Sequence, residues 1–553
     1  MQLQCYSEVE RLTKALVNIK SVNKEPEGES AAARYVYDYY MALPYFKEHP
    51  EYAKCFQTKN DFVERHSTYA FVKGTKNGGS HRTVLMIGHI DTVGIDDYGA
   101  IKEYACDPDR LPEILKTVEL PPEVLKDIDS GEYMFGRGAL DMKAGVAGHM
   151  YLIAYFSQHP EELEGNILAV AECDEEDNSK GILTAIDELV ELRQSEGFQY
   201  VACVNADYST NYNPGDESRY IYYGSIGKLL PCYAVFGKEA HVGQAFSAFD
   251  PNLLTAEITR DISYNTDLCD EKLGEVTIPP VSLKQTDTKP NYTVQTALVS
   301  FSYYNFFTHG MNPAQVLEKC KGIAETAFDT VIQRLGERYR SYCEKSHVGY
   351  TPLPWHRRVY LWKEFYDELA QQHGQKFKDA MEAFRRKLQE EDPAMDLRMF
   401  SLRVAEEAWK WSTDKNPAVV IFFGSIYNAR IEVSGKNGKE HALLDSVEKA
   451  VEAVRPEAGR QLKTRMFYPY ISDSSFLAVC DDLSTIKALG DNMPSWKVKY
   501  YHDTDKILQI DVPVVNIGTF GRDGHMFTER VDKKHTFENV PNITYLTVRG
   551  LIG

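Results

Sequence analysis

Four apolar, β-branched runs in this chain each end in side chains able to hold a divalent metal. Residues 83–87 lead into Gly88-His89-Ile90-Asp91-Thr92-Val93, and residues 166–171 into Glu172-Cys173-Asp174-Glu175-Glu176. Residues 201–206 stop at Asp207, and residues 512–517 enter a glycine-bearing loop that ends in His525. A fifth candidate ligand, Asp141, opens a helix flanked by glycines. His89, Asp141, Glu176, Asp207 and His525 together offer two imidazoles and three carboxylates. That mixture suits a pair of zinc ions better than calcium or magnesium, which prefer oxygen alone. Asp141, fixed just before a helix, is the candidate bridge between the two ions. Asp91, two positions past His89, is placed to accept the ring's second proton and hold its tautomer. In an extended chain the neighbouring side chains of Glu175 and Glu176 diverge, which leaves Glu176 for metal and Glu175 for proton transfer. Each piece alone has a plainer reading: a hydrogen-bonded His-x-Asp pair, a solvated acidic run, a capping histidine, an N-cap aspartate at 141 or a turn aspartate at 207. Their recurrence at successive strand ends favours one site.

Such a site needs elements that bring distant segments to one rim, and an open α/β sheet does this at the carboxyl ends of its strands. Helical spacing over residues 8–40, broken by a polar turn at 24–28, predicts helices ahead of the first strand. Strand and helix then alternate through Ala206, as a mainly parallel sheet with crossover helices requires. The expected fold class is therefore α/β. It comprises a mainly parallel-sheet di-zinc catalytic domain, an inserted α+β lid or dimerisation domain, and an extra helical insertion. Composition shifts place a first catalytic part at 1–218, the lid at 219–335, the charged helical insertion at 336–415 and a second catalytic part at 416–553. In that scheme the apolar run 418–423 returns to the main sheet.

The chain has 553 residues, enough for several cores. Its 62 Lys+Arg against 81 Asp+Glu give a formal charge of -19, which opposes nucleic acid and anionic lipid as partners. No apolar stretch approaches the ~20 residues that span a bilayer, and the first ten residues lack a basic and apolar secretory pattern. The expected location is cytoplasmic, without membrane association. Ten cysteines without a Cys-x-x-Cys pair read as reduced thiols rather than a disulfide framework or zinc knuckle.

With these motifs in view, the chain resembles the M20 family of cocatalytic zinc peptidases and amidohydrolases. The resemblance rests on residues 88–93, on 136–145, on Asp174-Glu175-Glu176, on Gly237-Lys238-Glu239-Ala240-His241, and on Gly524-His525 with Glu529 downstream. The length, the helical insertion and residues 467–474 look most like the arginine-utilisation RocB-type branch. The resemblance implies His89, Asp141 and Asp207 on one zinc, and Asp141, Glu176 and His525 on the other. It also implies Glu175 as general base, Asp91 orienting His89, and His241 reaching the neighbouring subunit's site to stabilise an oxyanion. A homodimer through the lid would then be part of the mechanism, and the substrate a small molecule or short peptide cleaved at an amide bond. Without the resemblance, His241 reads as a turn or strand-end histidine. Two positions depart from the family pattern. The lid strand region 291–306 has no arginine to grip a substrate carboxylate, and Asp207 stands where many relatives carry glutamate followed by proline. The rival reading from another class is a catalytically silent metal-binding sensor of an arginine-related metabolite.

Overall fold

The four ligand-bearing runs fold as adjacent strands, Asn166–Glu172, Arg82–His89, Gln199–Asn205 and Val514–Asn516, in the middle of one eight-stranded sheet. The computed structural model describes residues 2–25, 27–454 and 460–553; Pro26, within the predicted polar turn, lies outside them. All three pairings among these four strands are parallel. Their register sets His89 opposite Glu172, Ile87 opposite Asn205, and Asn205 opposite Asn516, so the carboxyl ends share one edge. Near-continuous apolar sequence is what strands covered on both faces need, and Asn166–Glu172 is buried at every position. The crossovers are the helices Ala144–Gln158 and Lys180–Ser195. The flanks join antiparallel: His66–Lys73 pairs with Asn166–Glu172 and carries Ala53–Gln57, also antiparallel, while Arg219–Tyr223 pairs with Val514–Asn516 and carries Leu462–Arg465 in parallel.

The chain divides into two units, one of Met1–Ile226, Ile431–Val479 and Asp503–Gly553, the other of Gly227–Arg430 and Cys480–His502. The expected boundary at 219 falls instead after Ile226, because Arg219–Tyr223 is a strand of the large sheet. Its aromatic, β-branched composition marks a strand without naming the sheet it joins.

The second unit is built on a six-stranded sheet ordered Val281–Asp287, Val299–Thr308, Pro231–Phe236, Ala418–Phe423, Val359–Leu361, with Gly227–Leu229 also pairing with Val299–Thr308. Ala418–Phe423 therefore does not return to the main sheet; it lies antiparallel to Pro231–Phe236. A run buried on both faces carries no mark of its partner. One face of this sheet, with Cys232, Ala234, Phe236, Phe301, Val420 and Phe422, packs against Trp362, Phe365, Phe377, Phe400 and Trp409. These belong to the helices Trp362–His373, Gln375–Glu391 and Leu397–Trp411, so the helical stretch is one layer of this unit and not a separate insertion domain. The opposite face meets the helices Pro251–Ile262 and Pro313–Ser346, where Thr255 Oγ1 lies 2.5 Å from Ser300 Oγ and the Tyr233 hydroxyl donates to the Cys320 carbonyl. Alternate residues of a strand point to opposite faces, which is how Phe301 and Ser300 reach different layers.

Candidate active site

Asp141 lies at the centre of the constellation. One of its carboxylate oxygens is 2.9 Å from His89 Nε2, and the other is 2.9 Å from His525 Nε2. Glu176 Oε1 lies 3.1 Å from the same His525 nitrogen. His89, Asp141 and Glu176 offer donor atoms that all fall within 4.8 Å of one another. Asp207 is buried, and burial pushes its carboxyl up to about 7, Asp141 adding to the rise and His89 opposing it. Four of the five expected ligands thus meet in contact geometry, with Asp207 beside them and all in the first unit.

The proton count tests whether a cation suits the cluster. His89 Nδ1 is 3.1 Å from the Asp91 carbonyl oxygen, a partner that accepts only from N–H. A neutral ring then turns the lone pair of Nε2 toward an anionic oxygen of Asp141. His525 Nε2 faces two carboxylates with at most one proton, and Glu176 Oε1 is left buried without a hydrogen bond. A cation between these atoms removes both conflicts. With only imidazolium available, the carboxylates must hold protons on the rings: burial opposes charge on His89, yet Asp141 and Asp91 raise its pKa well above the ordinary value. His525 is raised likewise, Asp141 and Glu176 outweighing burial, and the Asp141 carboxyl is lowered by the two histidines against its burial. The donor set of nitrogen and carboxylate oxygen, with an acceptor left over, fits divalent ions.

Asp141 and Asp207 are each positioned by a local device. Asp141 follows the left-handed Gly138 and precedes the helix Ala144–Gln158; its peptide bond to Met142 is cis. Glu529, buried, accepts from the Leu140 and Asp141 amides at 3.1 and 3.3 Å and pairs with Arg137 Nη1 at 2.8 Å, while Thr519 Oγ1 donates to the Leu140 carbonyl. Glu529 is therefore a support for Asp141. Asp207 is pinned by Asn516 Nδ2, which donates to its carbonyl at 2.8 Å. Gly518 passes so close that a Cβ there would stand 1.6 Å from that carbonyl oxygen, and glycine alone fits.

Asp91 acts differently from the expectation. Its carboxylate is 3.6 Å from His89 Nδ1, and the hydrogen bond to the ring comes from its own main-chain oxygen. The carboxylate instead accepts the amides of Glu175 and Glu176, each at 3.2 Å, with Asn23 Nδ2 at 3.0 Å. It thereby anchors the main chain at Glu175 and Glu176.

Glu175 is part of this pocket: burial pushes its carboxyl well above its ordinary value, His89 opposing and Asp473, Glu176 and Asp207 adding to the rise. A carboxylate so disposed holds a proton more readily than one in water, as a general base requires. Asp473, buried and without a hydrogen bond of bonding geometry among the described residues, is raised to about 8 by burial, and Glu172 is raised well above normal by burial and Asp473.

Sequence reasoning missed the support behind Asp174. Arg65, 1% exposed, pairs with Asp174 at 2.7 Å, Asp61 at 2.8 Å and Glu29 at 3.1 Å. The Asp61 and Arg65 spacing was the one local signal, and the other partners come from distant segments. Asp473 lay within the segment marked by the branch resemblance, with nothing local to show its burial. His241 belongs to the second unit, where it is exposed and its Nδ1 accepts the Gly243 amide at 3.1 Å; it is not among the residues the first unit assembles.

The model of the family described as Peptidase family M20/M25/M40 matches residues 85–535. Protein RocB of Bacillus subtilis (strain 168) is 32% identical over 544 residues, covering 98% of this chain and 95% of that protein. YqjN of the same organism is 30% identical over 555 residues, covering 100% of this chain and 98% of that protein. The solved aminopeptidase PepT from Bacillus cereus ATCC 10987 shares the fold, with a TM-score of 0.51 and 10% identity over 99% of this chain and 98% of that one. Ligand-bearing strand ends, matched family model and full-length likeness agree: the chain belongs to peptidase family M20/M25/M40, in its RocB-type branch, and is an enzyme of metallopeptidase type.

Proposed function

We propose that this enzyme hydrolyses an amide bond in a small peptide or N-acylated amino acid, with His89, Asp141 and Asp207 holding one divalent ion and Asp141, Glu176 and His525 the other. The observation that carries the reading is Asp141, whose two oxygens each face a different imidazole at 2.9 Å. Two ions, zinc by the mixed nitrogen and oxygen donors, would supply Lewis acidity that acidifies water and polarises the carbonyl.

The remaining work falls to the chain. Glu175 accepts a proton from the attacking water and delivers it to the amine that leaves. Asp91 keeps Glu175 and Glu176 in register through their amides. Because His241 Nδ1 accepts from Gly243, its proton sits on Nε2, and the exposed ring is a donor suited to a substrate oxygen. The family resemblance assigns that donor to the neighbouring subunit's site, which makes a homodimer through the second unit part of the proposal. The resemblance of the motifs to the RocB-type branch is what suggests a role in arginine utilisation, and the location proposed with it is the cytoplasm.

The test is metal analysis joined to a panel of dipeptides and N-acyl amino acids, arginine derivatives included. Turnover should vanish with a chelator and return with zinc. Glu175→Gln should keep its metal while turnover falls about 10²- to 10⁴-fold. Wild-type protein that binds metal and a panel compound but converts none would defeat the hydrolase and favour the sensor.

A further inference from the structure

Tyr208, directly after the proposed ligand Asp207, is fixed more firmly than binding a metal requires. Its amide donates to Asp207 Oδ1 at 2.7 Å, and its carbonyl accepts the hydroxyl of buried Tyr468 at 2.7 Å. Its ring stacks on Tyr470 with centroids 5.0 Å apart and planes 12° apart. The hydroxyl end of the ring lies against Gly524, where an added Cβ would come within 3.1 Å of Cε2 and Cζ and 3.2 Å of the phenolic oxygen. Gly524 immediately precedes His525, so the phenol is held at the side of the pocket that carries that ligand. The ring is only partly buried, and its hydroxyl makes no hydrogen bond to another described residue.

We infer that the Tyr208 hydroxyl is a catalytic hydrogen-bond donor to the carbonyl oxygen of the scissile amide, supplied by the same unit that holds the metal ligands. The inference rests on the hydrolase reading. As the water oxygen bonds to the carbonyl carbon, the π pair of the C=O bond moves onto oxygen, and Tyr208 donates to that oxygen while keeping its own proton. Water's proton passes to Glu175 and then to nitrogen, the C–N bond breaks with its electron pair on nitrogen, and the C=O bond re-forms. A phenolic hydroxyl carries its proton at neutral pH, as a donor must. A pre-placed donor aimed at developing charge contributes because it needs no reorganisation when that charge appears.

Tyr208→Phe tests this, since it removes one oxygen and leaves the ring, the Tyr470 stack and the Gly524 contact. On metal-loaded, full-length protein the variant should keep its bound metal and thermal midpoint. With a panel substrate that the wild type converts, kcat should fall about 100-fold, the scale for one oxyanion donor, and KM should change little. A phosphinic dipeptide analogue, which mimics the tetrahedral carbon, should bind the variant more weakly by a similar factor, while the product amino acid binds both alike. Unchanged kcat overturns the inference, as does loss of metal, which would make Tyr208 a prop for Asp207. If the wild type converts no panel compound, the hydrolase reading fails on its own evidence. The phosphinic analogue still decides the role of Tyr208, because equal affinity for both proteins rules out the donor.

Discussion

Each unit rests on a sheet whose central strands are buried and apolar, yet among the described residues the cluster of imidazoles and carboxylates forms at only one of them. In the first unit the four central strands are parallel, so four separate segments release their loops at the same edge. In the second unit Val281–Asp287, Val299–Thr308, Pro231–Phe236 and Ala418–Phe423 each run antiparallel to the next, so successive strand ends point to opposite edges, and the edge strand Val359–Leu361 alone joins Ala418–Phe423 in parallel. Strand direction, more than strand composition, decides whether distant residues converge. The second sheet spends both faces on helices and reads as a scaffold.

Three substitutions probe that contrast, from the largest effect to the smallest. Asp141→Ala removes the group shared by both halves of the cluster. Metal content should drop and turnover should fall by about four orders of magnitude or more, the scale for a member of a cooperating catalytic set. Near-normal metal binding would show that the edge does not depend on its bridge. Phe236→Ala strikes the other sheet, where the ring is buried and stacks on Trp409 at 4.2 Å and 10°. Denaturant titration should show a loss of about 3–5 kcal/mol, with metal content unchanged in the folded protein. A variant that folds but cannot hold metal would contradict a purely scaffolding second sheet. Asn312→Ala removes the capping box at the start of Pro313–Ser346, where Asn312 Oδ1 accepts the Gln315 amide at 3.0 Å and Gln315 Oε1 accepts the Asn312 amide at 2.9 Å. A loss of about 1 kcal/mol is expected, without effect on turnover.

Much of the catalytic edge was legible in the sequence because parallel strands are short, apolar and bounded by the loops they feed. The four runs, and the ligands His89, Asp141, Glu176 and His525 that the fold brings into contact, could be read locally. What could not be read was partnership. Arg219–Tyr223 and Ala418–Phe423 are strands on either measure, but an apolar pattern reports burial and not the sheet that provides it. Asp91 was close to His89 in sequence, and its proximity suggested a ring partner. Only the fold shows its carboxylate turned toward the Glu175 and Glu176 amides. The pairing of Arg65 with Glu29 and Asp174 and the burial of Asp473 were hidden for the same reason, since burial and ion pairing among remote segments leave no periodic trace.

The guanidinium of Arg65 joins Glu29, Asp61 and Asp174, and so ties together a helix, a loop and the turn that presents Glu175 and Glu176. The turn is thus moored by ion pairs behind it, and its path is set by parts of the chain that never reach the pocket.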